Sequence, residues 1–128
     1  MSTGDNGTKD IQGDGEAVLR DAAARLRELL AELAHNLRPF PAFLNMASVQ
    51  AVELEPPFAP IVDHGCVVVL PEGEICEMDL SVMPGIQGIM DIDQVERFTE
   101  LELPDEEYIV YAATAIRLLR QELRHRGG

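Results

Sequence analysis

The stretch from Cys66 to Val82, Cys-Val-Val-Val-Leu then Pro-Glu-Gly then Glu-Ile-Cys-Glu-Met-Asp-Leu-Ser-Val, constrains this chain more than any other. Pro71 presets φ at about −65° and Gly73 is free to enter the left-handed region, so Pro71-Glu72-Gly73 spell a type I turn closed by a glycine bulge. That turn joins a strand from Cys66 to Leu70 with one from Glu74 to Val82 and sets their register: Leu70 opposite Glu74, Val68 opposite Cys76, Cys66 opposite Met78. Alternation then puts Cys76, Met78, Leu80 and Val82 on one face and Glu77, Asp79 and Ser81 on the other. The first face is expected to be core, covered by helices, and the second to meet water or a partner.

Two helices are available as that cover. From Gly15 to Arg38, Leu19, Ala22, Leu26, Leu29 and Leu33 recur at spacings of three and four, widened by Val18, Leu30 and Leu37. Asp14 suits the N-cap, Asp21 and Arg25 an i,i+4 pair, and Pro39 with Pro41 ends the helix. At the other end, Pro104 followed by Asp105, Glu106 and Glu107 opens a helix whose last turns carry Arg117, Arg120, Arg124 and Arg126, the polarity that the helix dipole favours. Its apolar face is Tyr108, Ile109, Ala112, Ala115, Ile116, Leu119 and Leu123.

Between these elements, Phe40, Phe43, Leu44 and Met46 read as an apolar connection and Val49 to Glu55 as a first strand, ended by Pro56, Pro57 and Pro60. Met83 to Met90 is an apolar loop with two glycines. Asp91 caps a short helix from Ile92, with Gln94 completing a capping box, the alternative being a fourth strand over Thr99 to Leu103. Residues 1–14 are mostly Gly, Asp, Asn, Ser and Thr with a single Ile, a composition expected to form a disordered leader. Residues 15–126 are then one α+β domain: an antiparallel meander of three or four strands, with a long N-terminal and a long C-terminal helix packed on one face.

Charge narrows the function classes. The 128 residues carry a net charge of −13. Residues 53–107 hold fifteen acids and one base, Arg97, whereas residues 108–128 hold four arginines and one acid. Phosphate binding needs clustered cations, so nucleic acid and anionic lipid are not expected partners. Gly85-x-x-Gly88 shares letters with an RNA-clamping loop, but its neighbours Met, Ile and Asp are not cationic. The acidic middle is expected to pair with the helical arginines or to remain a solvated surface. The N-terminus has neither the apolar core of a secretory signal nor the arginines of a transit peptide, and the longest uncharged run, Pro39 to Val52, is broken by prolines, so a cytoplasmic location is expected.

Candidate chemistry is sparse. His64, Cys66 and Cys76 are zinc-ligand types without zinc-site spacing, and the hairpin register sets the two sulfurs diagonally apart, which suits neither a tetrahedral site nor a disulfide. Buried free thiols acting as small hydrophobes explain them better. Asp91 and Asp93 beside a helix start read as caps rather than cation ligands. No phosphate loop, nucleophile elbow or metalloprotease motif is present, so no cofactor is expected and the balance is against an enzyme.

The leading expectation is thus a non-catalytic protein–protein interaction or accessory protein, homodimeric, whose interface draws on Leu26, Leu29, Leu33, Phe40, Phe43, Met83, Ile86 and Ile89. A competing one is a small ligand- or metal-binding protein or enzyme with a pocket between the sheet and the 83–90 loop, using His64, Asp91 and Asp93 as polar groups. A third is an acidic decoy for a basic partner. Arg117, Arg120 and Arg124, at i, i+3 and i+7, form one cationic face suited to an anionic group.

Overall fold

The computed structural model describes residues 3–43, 46–55, 64–79 and 98–127. Within them the order is α1 (Thr3–Asn36), β1 (Ala42–Phe43), β2 (Met46–Gln50), β3 (Val52–Glu53), β4 (Cys66–Val69), β5 (Ile75–Met78), β6 (Phe98–Glu100) and α2 (Asp105–Gly127). Strands β3, β4, β5 and β6 lie in that order in a four-stranded sheet in which each neighbouring pair is antiparallel, and β1 pairs with β2 in a separate ribbon. This is the expected α+β architecture, with both helices packed on one sheet face.

The hairpin has the register that its turn dictates. Cys66 faces Met78, Val68 faces Cys76, and the Leu70 N–H donates to the Glu74 carbonyl at 2.9 Å. The Gly73 N–H donates to the Leu70 carbonyl at 2.8 Å and Gly73 stands at φ 91°, the left-handed position of the bulge. The fourth strand is real: β6 pairs Phe98 with Met78 and Glu100 with Cys76, and the Leu101 N–H reaches the Ile75 carbonyl at 3.2 Å.

The faces, however, are assigned differently from the alternation in β5. Val67, Val69 and Ile75, with Leu54 from beyond β3, point to the helices and join Leu30, Ala34, Tyr111, Ala115 and Leu119 in the main core. Cys76 and Met78 point the other way, where Val68 joins them under Phe43, Val49 and Ala51 from the β1–β2 ribbon. The sheet is therefore apolar on both sides along β4, which is why that strand reads as an unbroken Val-Val-Val. The segment around Phe43, expected as a connection, is the second cover.

Two boundaries also move. The helix expected from Gly15 begins at Thr3, drawing most of the expected leader into α1. A docked helix supplies its own nucleus, after which each further residue adds a hydrogen bond at little cost. Residues 13–16 are exposed, and among the α1 residues whose burial is described the first buried side chain is Ala23. The expected strand from Val49 to Glu55 is divided at Ala51, whose N–H turns to the Pro41 carbonyl at 3.1 Å, into β2 on the ribbon and β3 on the sheet. The expected helix at Ile92, the end of the third strand at 80–82 and the 83–90 loop lie outside the described residues.

The turn itself is seated on α1. A Cβ on Gly73 would stand 2.7 Å from the Ala31 Cα, so the two backbones touch. Arg38, just past the helix end, donates to the Ala34 and Leu37 carbonyls at 3.2 and 3.3 Å and to the Pro71 carbonyl at 3.2 Å. It thus caps the helix and holds the turn at once. Gly73→Ala is expected to destabilise the fold by at least about 2 kcal/mol, since it adds left-handed strain to a backbone clash. Urea denaturation measures this, and a change within error would separate the turn from the seam.

Candidate functional site

Three places gather polar chemistry among the described residues: a His–Glu pair at the start of α2, the two thiols, and the flanks of the helices.

His64 precedes Gly65, which takes φ 71° and would, with a Cβ, meet the Glu77 carboxylate at 2.9 Å. This kink turns the imidazole toward the helix layer. There the His64 Nε2–H donates to Glu107 Oε1 at 2.8 Å, with both side chains only 18% exposed. Tyr111, one helical turn further along α2, meets the imidazole edge-on with ring centroids 6.4 Å apart. Glu107 lies in the first turn of α2, where the dipole favours a carboxylate, so this pair fixes the start of the helix to the entry of β4. Asp91 and Asp93, expected beside His64, lie outside the described residues. Glu107 and Tyr111 carried no sequence signal as partners, because 43 residues separate Glu107 from His64.

No neighbour among the described residues activates either thiol. Cys66 packs toward the ribbon side of the sheet and His64 toward the helices, so no imidazole is placed to deprotonate it. Burial pushes the Cys66 thiol up, and the Glu53 and Glu77 carboxylates push it further. Cys76 is pushed up to about 11, by burial first and then by Glu74 and Glu100. Both cysteines are free, as their diagonal register requires. No group of three or more metal-ligating side chains occurs among the described residues.

The helix flanks carry the remaining candidates. Arg126 donates to Glu122 at 3.0 Å and to the Pro39 carbonyl at 2.6 Å, and Arg27 lies over the Tyr108 ring, 4.3 Å from its centroid. Glu72 takes His35 at 3.0 Å and Arg38 at 3.6 Å. Arg117, Arg120 and Arg124 are exposed and make no ion pair among the described residues, so the expected pairing of these arginines with the acidic middle is not found there. They line one wall of a groove of about 400 Å³ between α1 and α2, whose floor is Leu26, Leu29 and Ile116. A second cleft, of about 460 Å³, lies between β1, β3 and the other flank of α2, with Glu53, Glu122 and His125 at its rim.

The expected interface residues separate on burial. Leu26 and Leu29 line the helix groove, and Leu33 is half-buried against the main core. Phe40 and Phe43 are corrected to interior residues, 3% and 4% exposed, because the main core and the ribbon enclose them. Met83, Ile86 and Ile89 lie outside the described residues. Val18, 65% exposed, and Leu29, 45% exposed, are the large hydrophobic side chains left most open among the described residues.

Two measurements follow from the geometry. A group whose folded pKa exceeds its unfolded one stabilises the fold below the unfolded pKa and loses that contribution as pH rises to the folded one. With Cys76 raised from 9.0 to about 11, thermal stability is expected to fall between those pH values and to fall less in Cys76→Val, whereas equal slopes would deny the thiol a role. A double-mutant cycle on His64→Ala and Glu107→Ala is expected to return a coupling of about 1 kcal/mol at neutral pH, and additivity would show that the 2.8 Å contact contributes nothing.

No protein-family model, no curated protein and no solved structure matches the chain.

Proposed function

We propose that this protein is a non-catalytic interaction module that works as a homodimer. The observation that carries the reading is the open apolar edge of α1: Val18 and Leu29 stay exposed, and Leu29 lines a groove with Leu26 and Ile116. Single exposed hydrophobic residues are ordinary, but these two lie on one helical stripe, and Leu29 lines a concave surface. Burying a fully exposed side chain of this size contributes about 1.5–3 kcal/mol, and Val18 and Leu29, 65% and 45% exposed, have part of that left to gain. Among the described polar candidates, His64 is engaged by Glu107 and burial pushes both thiols up.

Sedimentation equilibrium across micromolar concentrations tests the reading. The expected mass is twice the 14.1 kDa of the chain. Leu29→Glu is expected to weaken association at least about tenfold while leaving the circular dichroism unchanged. A mass of one chain at every concentration would overturn the reading.

A further inference from the structure

Resting on the reading of the chain as a self-associating protein, we propose that the α1–α2 groove docks onto the same groove of a second copy, with a two-fold axis running along the helices.

The shoulders of the groove carry opposite charge. On α1, at 100° per residue, Asp21, Glu28 and Glu32 fall on the shoulder just outside Val18 and Leu29, at i, i+7 and i+11. On α2, Arg117, Arg120 and Arg124 occupy the opposite shoulder, outside Ile116. All six are exposed, and none forms an ion pair among the described residues. Arg25 also lies on the α1 shoulder and reduces its charge without reversing it.

This arrangement selects both the partner and the symmetry. A two-fold axis along the helices exchanges left and right, so the acidic shoulder of each copy meets the arginine shoulder of the other, twice over. An axis across the helices would set acid on acid and arginine on arginine. An unrelated acidic partner would satisfy the arginines but oppose Asp21, Glu28 and Glu32, and a basic partner would do the reverse. Only a surface bearing both shoulders in this order matches the whole groove, and a second copy bears it. Arginine suits the contact, because its planar fork takes a carboxylate through two parallel hydrogen bonds.

Salt titration alone is ambiguous, since screening weakens the shoulder pairs but also relieves repulsion between two chains of net charge −13. Charge exchange separates the two effects. The triple variants Arg117→Glu/Arg120→Glu/Arg124→Glu and Asp21→Lys/Glu28→Lys/Glu32→Lys are each expected to dimerise at least about tenfold more weakly than the natural chain, and their equimolar mixture to recover the natural affinity. The lysine variant decides most sharply, because it lowers the net charge from −13 to −7. Relief of general repulsion would tighten its dimer, whereas shoulder pairing loosens it. Circular dichroism checks folding, and single reversals Glu28→Lys and Arg120→Glu replace a triple variant that does not fold. A lysine variant that dimerises as tightly as the natural chain, or a mixture that fails to recover, overturns this inference while leaving self-association standing. A natural chain that never dimerises overturns both.

Discussion

The contact between Gly73 and Ala31 organises the molecule. A turn residue without a side chain lets the hairpin backbone rest directly on the α1 backbone, within 2.7 Å of where a Cβ would stand. With that point fixed, the inward side of the hairpin is the side of Val67, Val69 and Ile75, and α2 completes the cover through Tyr111, Ala115 and Leu119. Arg38 closes the seam by serving the last carbonyls of α1 and the carbonyl of Pro71 together. One residue at the helix end thus ties the last turn of α1 to the hairpin turn.

The second cover follows from the first. Once Val67, Val69 and Ile75 are committed to the helices, Val68, Cys76 and Met78 emerge on the opposite face as a bare apolar strip. The ribbon of β1 and β2 supplies Phe43, Val49 and Ala51 to close it. The sheet becomes the middle of three layers, and its thiol and thioether are sealed inside. Burial, with carboxylates nearby, then pushes both thiols up.

Local chemistry was legible from the chain and long-range choice was not. The hairpin register followed from Pro71 and Gly73 alone, because a bulged turn admits one pairing. Both helices followed from periodicity and from the acid-to-arginine polarity of α2. The assignment of faces failed because the Glu77 and Asp79 alternation in β5 spoke louder than the continuous valines of β4, and the latter were the better witness to a doubly covered sheet. Of the candidate site, the arginine stripe was visible in its spacing, but the Glu107 partner of His64 was not, since a pair 43 residues apart leaves no periodic trace. Asp21, Glu28 and Glu32 were readable by the same wheel as the arginines, yet they matter only beside α2, and that neighbour is a tertiary fact.

The charge layout finally bears on why the helix layer remains open. A net charge of −13 opposes any close approach of two chains, and an apolar stripe as short as Val18 to Leu29 has modest burial to set against it. Arginines engaged within their own chain would leave that repulsion uncompensated. Instead Arg126, Arg38 and Arg27 are held by contacts inside the fold, while Arg117, Arg120 and Arg124, on one flank of the groove, make no ion pair among the described residues. In the proposed dimer, their position next to exposed leucine and across from an acidic shoulder is where positive charge would most reduce the repulsion between two copies and least disturb one.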